Sequence, residues 1–193
     1  MIGFYDYTVI LTYMGALAGL LGIGMSIQGL YINAILCMAV ALVCDTFDGI
    51  VARAKKNRTK GEMLFGIQID SLCDLISFGV CPAALFYMLG MKGVFDMTLL
   101  GAYCLCCVIR LGYFNVTEEE RQEGTSAARK YYLGLPITSS TLMIPLVYLL
   151  SVLLPGASTA ILTLGVLVTG LLFIAPIHVK KPGLPALCAL ALI

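Results

Sequence analysis

Two long runs of the chain contain no charged residue, and they constrain the fold more than any other feature. The first extends from Tyr7 to Cys44 and the second from Tyr131 to Ile177. A helix needs about 20 apolar residues to cross the hydrocarbon core of a bilayer, so each run with its flanks is long enough for two spans. Turn-forming residues interrupt the runs at Gln28–Asn33 and Leu154–Ser158. We therefore expect two pairs of transmembrane helices.

Two shorter charge-free runs, Leu75–Met91 and Met97–Ile109, each supply a further span once their flanks are included. The composition agrees, because 12% of the residues are charged, whereas a soluble domain has about 25%. The sequence predicts an all-α integral membrane protein with one domain over residues 1–193 and a possible interfacial tail at 183–193. The six transmembrane helices of this bundle are expected at roughly 8–28, 31–53, 67–90, 95–115, 134–154 and 158–178.

The basic residues are distributed unevenly between the two sides of this six-helix topology. Every Lys and Arg except Lys92 falls on the side that holds both termini and the segments after the second, fourth and sixth helices. The loops of membrane proteins that carry most of the Lys and Arg lie in the cytoplasm. We therefore expect both termini in the cytoplasm of a multi-pass protein of the plasma membrane.

Four aspartates stand close together in a chain that has few charges elsewhere: Asp45, Asp48, Asp70 and Asp74. A carboxylate at the centre of a bilayer costs about 2.5–3.5 kcal/mol. Four unpaired carboxylates would cost about 10 kcal/mol or more, which is comparable with the whole stability of a typical domain. They must therefore lie near the interface, pair with basic groups, or bind cations.

The spacing of the aspartates predicts that they converge on one site. Asp45 and Asp48 are three residues apart near the end of the second helix, and Asp70 and Asp74 are four apart near the start of the third. Each pair lies on one face of its helix, and the two helix ends meet on the same side of the membrane. Oxygen ligands suit Mg²⁺ or Mn²⁺, and the nearby Arg53 suits a phosphate. A metal-and-phosphate site, an ion path and pairing with the basic loop remain open on spacing alone.

The order of these residues resembles the signature D-x2-D-G-x2-A-R-x8-G-x3-D-x3-D of the CDP-alcohol phosphatidyltransferases. The loop between Arg53 and Gly66 is four residues longer than in that pattern. All eight fixed residues are present, as Asp45-x2-Asp48-Gly49-x2-Ala52-Arg53 and Gly66-x3-Asp70-x3-Asp74.

The resemblance implies a role for each residue of the signature. Asp45, Asp48 and Asp70 correspond to metal ligands, and Asp74 corresponds to both a metal ligand and the general base. The implied cofactor is Mg²⁺ or Mn²⁺, with two ions expected. The small positions that let the nucleotide approach, and the arginine that contacts the diphosphate, correspond to Gly49, Ala52, Gly66 and Arg53.

Three further segments resemble the phosphatidylserine synthases of this family: "FGIQIDSLCDLISFGVCPA" (Phe65–Ala83), "RLGYFN" (Arg110–Asn115) and "GLP" (Gly134–Pro136). This resemblance implies transfer of the phosphatidyl group of CDP-diacylglycerol to L-serine, with release of CMP. The implied partners are these substrates, membrane lipids and a second copy of the chain, and no nucleic acid. Arg110 and Asn115 are the expected acceptor-binding residues, because a serine carboxylate needs a cation.

Two other functions are compatible with the sequence to a lesser degree. The same chemistry could use another acceptor, such as glycerol 3-phosphate or an inositol phosphate, although those acceptors favour more Arg and Lys than helices four to six carry. A divalent-cation transporter would need acidic residues throughout the depth of the membrane. The expected first, fifth and sixth helices have none, and the fourth has only Asp96 at its outer edge. The aspartates are therefore expected to form a pocket at one face.

Overall fold

The computed structural model describes Gly3 and residues 7–55, 59–124 and 131–180. Over these residues the chain forms a bundle of six helices. The expected tail at 183–193 lies outside the described residues. The helices are α1 (Ile10–Ile27), α2 (Tyr31–Ala54), α3 (Lys60–Met88), α4 (Val94–Gly124), α5 (Ser140–Leu153) and α6 (Ser158–Ile174).

The prediction of a six-helix membrane bundle is confirmed, with changes at the helix ends. Five of the helices are long and apolar enough to span a membrane, and the remaining apolar stretch, Ile137–Leu153, is shorter. The start of α3 lies at Lys60, before the expected residue 67, and α4 continues to Gly124, beyond the expected residue 115. The outer surface agrees with a lipid environment, since Leu17, Leu105 and similar side chains are more than half exposed.

The early start of α3 has a local cause in the sequence "TKGE". The hydroxyl of Thr59 accepts a hydrogen bond from the backbone N–H of Glu62 at 3.2 Å, and the Glu62 carboxylate accepts one from the backbone N–H of Thr59 at 2.7 Å. This capping box satisfies two N–H groups at the helix start. Lys55, just after α2, contacts Glu62 at 3.2 Å. The connection between α2 and α3 is therefore short, and the contact between Lys55 and Glu62 joins its two ends.

Small residues let α1 approach α2 and α3 closely. A Cβ atom on Gly19 would lie 2.8 Å from the Cα of Ser77 in α3. One on Gly22 would lie 2.8 Å from Cys81 Sγ and 3.2 Å from Cys37 Cβ in α2. Such contacts between helix backbones are typical of small residues in membrane bundles. They hold the second half of α1 against α2 and α3.

Two short strands were not predicted from the sequence. β1 (Tyr131–Leu133) pairs antiparallel with β2 (His178–Lys180), so that the segment before α5 lies against the segment after α6. The pairing continues at Gly134, whose N–H donates to Ile177 O at 2.7 Å. Gly134 has φ of +81°, a conformation that glycine adopts at no steric cost. We call residues 131–136 the strap.

Candidate active site

The predicted convergence of the aspartates is present in the structure. The short connection after α2 brings the end of that helix beside the start of α3. One carboxylate oxygen from each of Asp45, Asp70 and Asp74 lies within 4.8 Å of the others. Ligand oxygens at such separations can share one cation, because each bond from oxygen to Mg²⁺ or Ca²⁺ is about 2.0–2.6 Å long.

Asp48 lies in the same cavity with a different environment. It is 7% exposed, and its Oδ2 accepts a hydrogen bond from the Thr12 hydroxyl at 2.9 Å. Hydrogen bonds of this kind orient carboxylates that serve as metal ligands. The cavity is lined by Thr12, Gly15, Ala16, Ala41, Asp45, Asp48, Asp70, Cys73, Asp74 and Ser77.

The donor set of this cavity fits a hard divalent cation. Four carboxylates line it, and none of the described lining residues is basic. Asp70 Oδ1 is buried and has no hydrogen-bond partner among the described residues. A buried carboxylate oxygen without a donor is costly. A bound Mg²⁺ or Mn²⁺ would remove that cost and the repulsion between the carboxylates.

The remaining residues of the signature occupy the two helix ends around the aspartates. Gly49 lies in α2 next to Asp48, and Gly66 lies one turn before Asp70 in α3. Both glycines are partly buried. Ala52 and Arg53 belong to the last turn of α2, and their side chains lie outside the described part of the structure.

The two expected acceptor residues lie on α4, outside the cavity lining. Arg110 is 6% exposed. Its Nε donates to Leu135 O of the strap at 3.2 Å, and its guanidinium lies 6.0 Å from the centre of the Phe114 ring. The residue is therefore buried and bonded to the strap, whereas an arginine at a helix end commonly extends to the interface.

Asn115 connects α4 to the part of α3 that carries Asp70. Its Oδ1 accepts a hydrogen bond from the Ser71 hydroxyl at 2.7 Å, and its Nδ2 donates to Gln68 Oε1 at 3.4 Å. Ser71 directly follows Asp70 in the chain. In the structure, Asn115 therefore contacts Ser71, the residue next to Asp70, and Arg110 contacts the strap.

Sequence reasoning did not include the contribution of α1 and of the far side of α3 to the cavity. Thr12, Gly15 and Ala16 line it from α1, and Cys73 and Ser77 line it from α3. The signal in the sequence is weak but present. Small or hydroxyl residues recur at three- and four-residue spacing in α1, which places them on one helix face.

Comparison with known proteins agrees with this site. A model of the CDP-alcohol phosphatidyltransferase family matches residues 7–172. The CDP-diacylglycerol–serine O-phosphatidyltransferase of Saccharomyces cerevisiae is 41% identical over 101 residues, covering 52% of this chain and 35% of the yeast protein. The archaetidylserine synthase of Methanothermobacter thermautotrophicus is 36% identical over 141 residues, covering 72% of this chain and 56% of that protein.

A CDP-diacylglycerol–serine O-phosphatidyltransferase of Mycobacterium leprae is 33% identical over 180 residues, covering 89% of this chain and 57% of the relative. The chain therefore spans between about a third and three-fifths of the length of these relatives. No solved structure matches the chain. The family match includes α1 to α5, most of α6 and all four cavity aspartates. The chain belongs to the CDP-alcohol phosphatidyltransferase family.

Proposed function

We propose that the protein transfers the phosphatidyl group of CDP-diacylglycerol to the hydroxyl of L-serine, giving phosphatidylserine and CMP. The observation that carries this proposal is the group of three carboxylates within 4.8 Å of one another, in a cavity without a basic lining residue among those described. The choice of serine is supported by the names of the relatives from yeast and Mycobacterium leprae, which are both CDP-diacylglycerol–serine O-phosphatidyltransferases.

Asp45, Asp70 and Asp74 would hold a divalent cation, and Asp48 would complete the ligand set for a second one. Mg²⁺ and Mn²⁺ are the expected ions, because both prefer oxygen ligands. When bound, such ions stabilise the negative charge that develops on the diphosphate. Thr12 keeps Asp48 oriented towards the cavity through its hydrogen bond of 2.9 Å.

Asp74 is the proposed general base. Its carboxylate accepts the proton of the serine hydroxyl, and the serine oxygen then forms a bond with the phosphorus that carries diacylglycerol. The bond from this phosphorus to the bridging oxygen of the diphosphate breaks, and CMP leaves with that oxygen. Arg53 contacts the diphosphate. The small residues of the signature, Gly49, Ala52 and Gly66, leave room for the nucleotide.

The acceptor side of the reaction is assigned to Arg110 and Asn115. A buried guanidinium can pair with the carboxylate of serine more strongly than an exposed one, because water does not compete for it. Arg110 is 6% exposed and precedes Asn115 by five residues in α4. Asn115 supports the assignment through its hydrogen bond to Ser71 beside Asp70.

The location of the protein follows from the same arrangement. The lipid substrate keeps its acyl chains in the bilayer, and its headgroup enters the cavity from the side that carries the basic residues. That side faces the cytoplasm under the positive-inside rule, so serine enters from there. A homodimer in the plasma membrane remains part of this proposal and is supported by the family resemblance alone.

A transfer assay with the purified protein tests the proposal. Radiolabelled serine, CDP-diacylglycerol and Mn²⁺ or Mg²⁺ should give a labelled lipid and CMP, and EDTA should stop the reaction. A CDP-diether lipid should be tested in parallel, since one relative is named an archaetidylserine synthase. If CMP is released faster with glycerol 3-phosphate or inositol phosphate than with serine, that compound is the acceptor instead of serine. Absence of CMP release with every acceptor would refute the proposed activity.

A further inference from the structure

The helix that carries Asp70 and Asp74 changes its hydrogen-bond pattern immediately after Asp74. Residues Leu75–Val80 form a π-helical turn, in which the N–H of Cys81 donates to Ile76 O, five residues back. In a regular α-helix the donor to Phe78 O would be the N–H of residue 82. That residue is Pro82, which has no N–H. The carbonyl of Phe78 therefore cannot have its α-helical partner.

A side chain from α4 supplies the missing donor. The hydroxyl of Tyr103 donates to Phe78 O at 2.8 Å. Tyr103 is 2% exposed, and its ring lies 5.7 Å from the ring of Phe173 in α6. The aromatic contact and the burial fix the ring, so the hydroxyl is held at the carbonyl without much loss of side-chain freedom.

The π-helical turn is also part of the cavity wall. Ser77 lies in the turn, lines the cavity, and donates to Gly15 O of α1 at 3.1 Å. Each residue of an α-helix turns the chain by about 100°, and a π turn contains one extra residue. Loss of this turn would rotate the part of α3 before it relative to the part after it by about that angle. Asp74 would then turn away from α1 and α2.

We propose that Tyr103 is a positioning residue for the transfer reaction. Its hydroxyl replaces the donor that Pro82 lacks and maintains the π-helical turn. The turn keeps Asp74 directed at the cavity while Phe78 packs in the core. This inference rests on the proposed function, since it assigns Tyr103 an effect on catalysis through Asp74, and it involves no contact between Tyr103 and a substrate.

The test is Tyr103→Phe, which removes one oxygen atom and leaves the ring. Tyr31 provides a matched control. Its hydroxyl donates to Met88 O at the other end of α3 at 3.1 Å, and its ring lies 6.2 Å from the ring of Tyr148. Tyr31→Phe therefore removes the same kind of hydrogen bond from the same helix, far from the aspartates.

We expect Tyr103→Phe to lower kcat by about 10- to 100-fold, the loss that a displacement of about 1 Å in a catalytic group can cause. The KM for serine and for CDP-diacylglycerol should change little. Tyr31→Phe should keep the wild-type kcat, although both variants should lose similar thermal stability. Equal kcat values for the two variants would overturn the inference.

Binding of Mn²⁺, measured by electron paramagnetic resonance without any acceptor, separates this inference from the proposed function. We expect Tyr103→Phe to bind Mn²⁺ about tenfold more weakly than the wild type, as for other substitutions that disturb the support of a metal ligand. Tyr31→Phe should bind it normally. A wild-type protein that binds no Mn²⁺ would refute the metal site and, with it, this inference. Equal Mn²⁺ affinity in the wild type and Tyr103→Phe would refute this inference. A wild-type protein that binds Mn²⁺ but transfers no serine would refute the proposed function.

Discussion

The two halves of the bundle satisfy their polar side chains in different ways. In the half formed by α1 to α3, four carboxylates line one cavity, and Asp70 Oδ1 has no partner among the described residues. In the half formed by α4 to α6, the hydroxyls of Ser140 and Thr141 are also buried without a partner among the described residues, but a neutral hydroxyl costs less to bury than a carboxylate. Other polar side chains of this half bond to backbone carbonyls. Arg110 Nε donates to Leu135 O, and the hydroxyl of Thr169 donates to Gly165 O at 2.7 Å.

This difference separates the part of the molecule that needs a ligand from the part that holds the framework. Under the proposed function, cations from outside the chain balance the carboxylates of the first half, whose charged forms are opposed by mutual repulsion and burial. The contacts of Arg110 and the strap in the second half connect α4 to the ends of α5 and α6. Substitutions in the first half should therefore change catalysis, and those in the second half should change stability as well.

The largest effect is expected for Asp74→Asn, which removes the proposed base while keeping the size of the side chain. Turnover should fall by about 10²–10⁴-fold, the usual contribution of a general base. Binding of CDP-diacylglycerol should be retained, because Asp45, Asp48 and Asp70 remain. Steady-state kinetics and a lipid-binding assay measure the two effects.

Asp96→Asn is the control for this experiment. Asp96 accepts a hydrogen bond from the N–H of Gly93 at 3.1 Å at the start of α4, at the opposite end of the bundle. Its substitution should leave turnover unchanged. Substantial residual activity in Asp74→Asn, beside normal activity in Asp96→Asn, would contradict the assignment of Asp74 as the base.

The acidic half of the site could be predicted from the sequence because its geometry depends on local spacing. Aspartates three or four residues apart share a helix face wherever that helix lies. Two helices joined by a short loop must also bring their adjoining ends together. The same spacing did not show that α1 completes the cavity, because that contact depends on the close packing of Gly19 against Ser77.

The other half contains features that a sequence pattern cannot show. Strands of three residues, such as Tyr131–Leu133, have no alternation long enough to detect, and the tertiary contact with residues 178–180 creates them. The sequence suggests Arg110 as an acceptor-binding residue but does not show that its side chain is buried. Its burial against Leu135 O depends on the path of the strap. Pro82 is visible in the sequence, but the hydrogen bond from Tyr103 to Phe78 O is a contact between two helices that no local pattern shows.

Arg110→Gln tests whether the second half also takes part in acceptor binding. The loss of a charged hydrogen bond to the serine carboxylate should raise the KM for serine by about 10- to 100-fold. The KM for CDP-diacylglycerol should remain close to that of the wild type. Thermal stability should also fall, because Leu135 O loses its donor.

Arg110→Lys separates these two roles, because lysine keeps the charge but lacks the planar guanidinium and its Nε donor. We expect this variant to lose stability to a similar extent and to retain most of its affinity for serine. An active Arg110→Gln protein with an unchanged KM for serine would show that Arg110 only supports the strap.

The smallest effect is expected for Gly19→Ala, which acts on the contact between α1 and α3. The new Cβ would lie 2.6 Å from Ser77 Oγ and 2.8 Å from Ser77 Cα, so α1 must move away. Overpacking of this kind costs about 1–3 kcal/mol. Thermal unfolding in detergent and the apparent affinity for Mn²⁺ should both report the change, since Thr12 on the same helix holds Asp48.

Gly24→Ala is the matched substitution on the same helix, because a Cβ at Gly24 would have no neighbour within 4 Å. Alanine is about 0.5–1 kcal/mol more favourable than glycine inside a helix, so this variant should be as stable as the wild type or slightly more stable. If both alanine variants unfold at the same temperature, the close approach of α1 to Ser77 does not hold the cavity together. If only Gly19→Ala loses stability and affinity for Mn²⁺, then α1 is a third wall of the metal site as well as a membrane span.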